Sequence, residues 1–138
     1  MGEAEGYILR IATKEWVNQV FNFAIYYTGA HRKWKTGQTI VFVHKIQQGD
    51  ALVGYGEIGN VYAVEELSEE ERSQCERWGW KKAIEFKYIL KFEKPLLVKQ
   101  TFLKDLKLRG KSFHAYPLNK NQLAQIIKQA EQQQRRTS

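Results

Sequence analysis

The sequence predicts a single α+β domain, a small curved mixed β-barrel of about five to six strands flanked by about three helices. Three observations lead there. Apolar, β-branched runs at residues 7–13 and 39–43 read as buried strands. A long glycine-rich run from about 51 to 64 reads as a bulged strand curved enough to close a barrel. Three segments with capping residues or helical apolar spacing sit at the two ends and in a crossover. The 138 residues fit one domain, which at this size buries roughly two-thirds of its unfolded surface.

Each element follows from its residues. The first strand is apolar except at Arg10, and Thr13 then N-caps a helix in which Trp16, Val17, Val20, Phe21 and Ala24 recur at helical spacing. Tyr26 and Tyr27 come just after that helix, and Gly29 to Gln38 form a polar loop before the central strand at 39–43. Gln48, Gly49 and Asp50 signal a hairpin turn into the glycine-rich strand. Ser68 with Glu71 makes a capping box opening a short acidic helix, expected to end before Trp78. Residues 83–90 form a strand with Ile84, Phe86 and Tyr88 on one face and Glu85 and Lys87 on the other. Pro95 begins a further segment, Leu96 to Val98, and a basic loop runs from Lys104 to Lys111. Asn119 with Gln122 caps a last helix striped by Leu123, Ile126, Ile127 and Ala130, and the polar residues 132–138 are expected to fray.

Charge narrows the class of partner. The net charge is +7 and the isoelectric point near 9.5, which suggests an anionic partner, nucleic acid being the commonest. The excess is uneven. Residues 57–76 hold seven acids and one base, residues 77–128 hold thirteen bases and three acids, and Arg32, Lys33, Lys35 and Lys45 meet no acid between 32 and 45. Two separate basic blocks in so small a domain point to an anion-binding surface. One cysteine excludes a disulfide framework and a Cys-rich zinc site. With no apolar run of about 18 residues and with Glu3 and Glu5 near Met1, neither a membrane span nor a secretory signal is expected, which predicts a cytoplasmic domain.

Enzyme and cofactor patterns fall away one by one. Gly54, Gly56 and Gly59 match G-x-G-x-x-G, but extended residues follow the last glycine where a dinucleotide site needs a helix. His31, His44 and His114 have no ligand spacing, so no metal is expected, and each reads as a surface or phosphate-contacting histidine. Cys75 lies among glutamates that raise a thiol pKa, against a nucleophile. No cofactor is expected.

The aromatic residues carry more. Trp34 sits among Arg32, Lys33 and Lys35, while Trp78 and Trp80 flank Gly79 beside Arg77, Lys81 and Lys82. Aromatic rings beside cations suit base stacking with phosphate contact. In an extended segment Trp78 and Trp80 would point the same way. Trp16, Phe21 and Phe86 fall on apolar faces and read as core.

The order of segments resembles the PUA-like superfamily, and within it the EVE and YTH-type branch. The resembling stretches are residues 7–16, 34–43, 52–58, 108–114 and 117–123, which together span nearly the whole chain. The resemblance implies a reader that flips one modified, typically methylated, base of DNA or RNA into an aromatic cage, alone or within a larger restriction or RNA-processing assembly. Carried over residue by residue, it places one cage wall at Tyr26 or Tyr27, the other at Trp78 or Trp80, and a polar base contact at Thr13. It places phosphate contact at Arg109 or Lys111, with Ser112 adjacent. Tyrosines stand where tryptophan is usual, Thr13 where YTH readers commonly have asparagine, and Gln38 where EVE proteins have a turn aspartate. The related ASCH type includes small hydrolases, for which Lys35, Thr36 and Glu57 are the candidates here. The G-x-K-x-x-E-x-R pattern of that type is missing, so a non-catalytic protein is expected.

Overall fold

The computed structural model describes residues 4–106 and 114–135. In chain order the elements are β1 (Gly6–Arg10), α1 (Lys14–Phe23), β2 (Ile25–Thr28), β3 (Thr39–Ile46), β4 (Gly49–Ala63), α2 (Glu69–Trp78), β5 (Lys82–Leu97), β6 (Tyr116–Leu118) and α3 (Lys120–Arg135). Short 3-10 turns occur at Val64–Glu66, Val98–Gln100 and Phe102–Leu106. The strands form one six-stranded sheet in the order β2-β5-β4-β3-β1-β6, with β1 parallel to β3 and the other neighbours antiparallel. This mixed sheet curls into a half-barrel accompanied by the three helices.

Two cores explain the apolar runs. Along β1 and β3, Tyr7, Leu9, Ile40 and Phe42 join a cluster with Val17 and Val20 of α1 and with Trp34. Their neighbours Ile8, Val41 and Val43 join a second cluster with Leu123, Ile126 and Ala130 of α3. Strands covered on both faces lose the polar half of their alternation, so they read as continuous apolar stretches. Each fully buried aliphatic chain stabilises the fold by about 1.5–3 kcal/mol.

The helix starts are local chemistry. The Thr13 hydroxyl accepts from the Trp16 N–H at 3.2 Å, and that of Ser68 from the Glu71 N–H at 3.2 Å. Asn119 and Gln122 bond reciprocally at 2.8 and 2.9 Å. These satisfy amide groups that a helix leaves unpaired at its first turn.

Curvature comes from bulges in β4 and β5, where the pairing shifts register near Gly54 and again around Ile58 and Gly59. The G-x-G-x-x-G spacing lies within these bulged strands. Gly54 is required where it stands: a Cβ there would collide with the Leu90 carbonyl oxygen and sit 2.5 Å from the Phe21 ring of α1.

The structure departs from the sequence reading in six places. Tyr88 pairs with Glu57 and Phe86 with Ile58, so Lys87 is an extra residue that turns Tyr88 outward, 48% exposed, while Ile84 and Phe86 stay buried. β5 continues past Pro95 to Leu97, because a wide irregularity opposite Val53 removes the need for a ladder N–H at the proline. β2 and β6 are strands of four and three residues, too short to register as periodic patterns. α2 includes Trp78 and ends at Gly79, whose φ of +75° closes the helix. α3 runs to Arg135 rather than fraying from 132, since Gln133 donates to the Pro95 carbonyl at 2.9 Å and Gln134 bonds both N–H and C=O of Lys94. Part of the expected basic loop is the 3-10 turn Phe102–Leu106. No helix among the described residues is long and apolar enough to cross a membrane.

Candidate functional site

The site is assembled where α1, β2 and the end of α2 converge. α1 ends at Ala24, whose left-handed backbone (φ 55°) turns the chain directly into β2. Strand alternation then sends successive tyrosines to opposite sides. Tyr26 is buried, with its hydroxyl donating to the Arg10 carbonyl at 2.7 Å and its ring near Phe42. Burial pushes its phenol pKa far upward. Tyr27 faces α2, donating to Glu71 Oε2 at 2.9 Å. Burial first, and then the Glu71 carboxylate, raise its pKa as well. Glu71 Oε1 accepts from the Ser68 hydroxyl at 3.0 Å, so the helix cap also anchors the tyrosine.

The corner after α2 is docked by backbone contacts. The Trp80 N–H donates to the Cys75 carbonyl and the Lys81 N–H to the Thr28 carbonyl, each at 2.9 Å. A Cβ on Gly29 would lie 2.8 Å from the Gly79 oxygen, so glycine allows the end of β2 to press against this corner. Trp80 thereby stacks on Tyr27, with centroids 5.2 Å apart at 14°. Trp78 stacks on Trp80 at 5.9 Å and 23°, and Trp16 meets Trp80 and Trp78 edge-on at 5.2 and 6.1 Å. The tryptophans meet although Trp78 is helical, because the left-handed Gly79 folds Trp80 back beside it.

Beside this cluster opens a cavity of about 160 Å³, lined by Arg10, Ile11, Ala12, Trp16, Gln19, Val20, Ile25, Tyr26, Tyr27 and Trp80. Aromatic and aliphatic walls with a few convergent polar groups are the usual make-up of a small-ligand site. Tyr27 and Trp80 stack on one another and border the cavity together, rather than facing each other across a gap. Trp78 lies outside the lining, 53% exposed, with the Arg77 guanidinium 5.8 Å from its ring centre.

The remaining expected residues are dispersed. Thr13 is exposed at the α1 cap and does not line the cavity. Trp34 packs in the core against Tyr7 at 4.8 Å and donates to the Ala30 carbonyl. Its loop is tied by buried Gln38, which accepts from the Lys35 N–H and donates to the Ala4 and Lys33 carbonyls. Lys33 and Lys35 are exposed on that loop. Arg32 donates to the Ala115 and His31 carbonyls. Lys81 lines a neighbouring cleft with Glu76 and Trp80. Arg109, Lys111 and Ser112 lie outside the described residues.

Sequence reasoning missed Arg10, Trp16, Gln19 and Glu71. Arg10 did leave a signal, as the one charge in an otherwise apolar strand. Trp16 satisfied the helical stripe, yet it is half-buried at the stripe's edge and serves both the core and the cavity.

Two of the histidines bond the backbone through Nδ1. His44 Nδ1 lies 2.8 Å from the Ile11 carbonyl, and His114 Nδ1 accepts from the Arg10 N–H at 3.2 Å. Burial, then the Arg32 and Arg10 guanidinium groups, hold the His114 pKa below its ordinary 6.5. The unfolded chain therefore takes up this proton first as pH falls through 6.5, so acid removes stability down to the folded value. His114→Asn, which offers an acceptor in place of Nδ1, is expected to flatten the fall in melting temperature between pH 7 and 5.5. An unchanged fall assigns the effect to another group. The buried Cys75 thiol is pushed up by burial and by Glu71, the opposite of nucleophile activation.

The curled mixed sheet with its three helices is the PUA-like type of fold that solved ASCH and YTH domains share. Among solved structures, the chain is similar to ASCH from Zymomonas mobilis (TM-score 0.64, 10% identity, covering 88% of this chain and 92% of that one). It is similar also to a single-site mutant of that protein (TM-score 0.65, 13% identity, 94% and 99% covered). The YTH domain of Zygosaccharomyces rouxii MRB1, in complex with N6-methyladenosine RNA, matches with a TM-score of 0.57 at 15% identity over 90% of this chain and 84% of that one. These likenesses establish the fold. No family model and no curated protein matches the sequence.

Proposed function

We propose that this protein is a non-catalytic nucleic-acid reader, of the EVE or YTH type, that takes one unstacked and modified base of DNA or RNA into the cavity beside Trp80. The observation that carries this is the cluster of Trp16, Tyr27 and Trp80 around the cavity, in a chain of net charge +7. Base–aromatic stacking contributes about 1–3 kcal/mol per base. That offsets the few kcal/mol needed to extrude a base, least in a single strand. A buried methyl group adds about 0.8 kcal/mol against walls such as Ile11, Val20 and Ile25. The YTH neighbour's complex with N6-methyladenosine RNA supports a base-reading role for this class of pocket.

Geometry favours binding over hydrolysis. Of the ASCH-type candidates, the Thr36 hydroxyl donates to the Gly59 carbonyl at 2.8 Å and Glu57 lies 4.0 Å from Lys87 Nζ. Neither they nor Lys35 line the cavity.

The direct test is a binding panel of modified against unmodified DNA and RNA oligonucleotides, in which at least one modified strand is expected to bind tighter than its unmodified counterpart. Equal binding throughout removes the modified base from the reading. Affinity is also expected to fall steeply with salt, with a log–log slope near −3 if about four phosphates are neutralised on a single strand. A flat slope removes the electrostatic part of the reading.

A further inference from the structure

We propose that the free edge of β5 pairs with the same edge of a second copy of this chain, forming an antiparallel, two-fold dimer centred on Leu90. The proposal is independent of the base-binding reading above.

The edge is free because β2 is much shorter than the strand it joins. β2 pairs with β5 from Lys82 to Glu85, and the Phe86 N–H then donates to the Ala24 carbonyl at 2.9 Å. β4 lies on the other side of β5. Farther along, the Lys94 N–H donates to the Gln134 side chain, and its carbonyl accepts from Gln133 and Gln134. Between these two ends, residues 87–93 have no strand on their outer side among the described residues. Alternate residues of a strand aim N–H and C=O at such an edge, which makes it a template for another strand.

Exposed apolar surface gathers at the same place. Tyr88 and Leu90 are each 48% exposed, and Phe23, which precedes Ala24, is 69% exposed. They are three of the four large hydrophobic side chains left exposed among the described residues, and such patches mark interaction surfaces. Lysines on an edge commonly keep sheets apart, so the register decides what Lys87 and Lys91 do.

Opposed residues of an antiparallel pair point their backbone groups toward each other or both away. In a self-pair their numbers therefore differ by an even count, and the two-fold axis passes through a residue. Through Ile89, Lys87 would face Lys91 of the second copy, twice per dimer. Through Lys91, two lysines would meet on the axis. Through Tyr88 or Phe92, the pairing runs out after one residue on each side, at Phe86 or at Lys94. Through Leu90, Lys87 faces Glu93 of the second copy, twice per dimer, while Tyr88 meets Phe92 and Ile89 meets Lys91. Leu90 is also the midpoint of residues 87–93, so this register uses the whole free edge. Opposite charges directly across a pair of strands stabilise it and like charges destabilise it. Both partners are available: the Lys87 side chain is 72% exposed and 4.0 Å from Glu57, and Glu93 is exposed with no ion pair among the described residues.

The test begins with sedimentation equilibrium of the whole chain. A seven-residue edge is a small interface, so the measurement spans about 5–500 μM. The mass is expected to rise toward twice the 16.2 kDa of one chain. Lys87→Glu and Glu93→Lys each set like charges across the pair twice, so each is expected to weaken association about tenfold, and the double variant to recover it. Thermal melts check that these exposed substitutions leave the fold intact. Leu90→Cys reads the register: opposed Cα atoms lie about 4.5–5.5 Å apart, within disulfide reach, so mild oxidation is expected to cross-link it. Tyr88→Cys, about 13 Å from its counterpart in this register, is expected to stay uncross-linked. A monomer at every concentration overturns the proposal. So does a dimer that the single reversals leave unchanged, one that the double variant fails to restore, or one that Tyr88→Cys cross-links and Leu90→Cys does not.

Discussion

Trp80→Ala is expected to weaken oligonucleotide binding by roughly 10- to 100-fold while the domain stays folded, the loss that follows from removing about 1–3 kcal/mol of base stacking. Trp80 touches Tyr27, Trp16 and Trp78 and lines the cavity, yet it belongs to neither buried core cluster. Its removal takes away the shared ring of the site without opening a hole in the barrel. Trp34→Ala is the informative contrast. That ring is buried against Tyr7, so its loss is expected to cost about 3–5 kcal/mol of stability through the transfer and cavity terms. Trp78→Ala, more than half exposed and outside the cavity, is expected to cost only a few-fold in affinity. Anisotropy titrations paired with thermal melts separate these outcomes. Wild-type binding by Trp80→Ala would place the base elsewhere.

Gly54→Ala is expected to destabilise the fold by about 2–3 kcal/mol, the upper part of the usual range for overpacking. The added methyl meets two obstacles at once, the Leu90 carbonyl oxygen of β5 and the Phe21 ring of α1. The ring can swing, whereas the carbonyl is held in the β4 to β5 ladder, where Gly54 pairs with Lys91 and Tyr55 with Leu90. Relief requires the two longest strands to separate locally. In urea, with a slope of about 2 kcal/mol/M for a domain of this size, the midpoint is expected to drop by about 1 M. An unmoved midpoint would mean that β4 and β5 do not approach so closely at this glycine. The same result bears on the G-x-G-x-x-G spacing, whose first glycine serves strand packing here.

Much of this architecture was legible residue by residue. Thr13, Ser68 and Asn119 each mark a helix start through hydrogen bonds within three residues, so no distant contact is needed to read them. The continuous apolar runs of β1 and β3 reported strands covered on both faces, and the glycines of β4 reported its bulges. The site was half legible. Tyr26 or Tyr27 is expected as one wall of a cage and Trp78 or Trp80 as the other; Tyr27 and Trp80 stack on each other, while Trp34, read beside its basic neighbours, packs into the core. Glu71 read as one of a row of solvated acids, although its carboxylate holds the Tyr27 hydroxyl.

By itself, then, the sequence determined the caps, the two-sided strands, the curl of the sheet and the sign of the charge, because these depend on neighbours a few residues apart. The tertiary structure decided which tyrosine faces α2, that Lys87 bulges and turns Tyr88 outward, and that Trp16 reaches Trp80. Each of these depends on the register between segments far apart in the chain, such as Tyr27 opposite Ala83 or Arg10 opposite Val43, and a shift of one residue would send every such side chain to the other face.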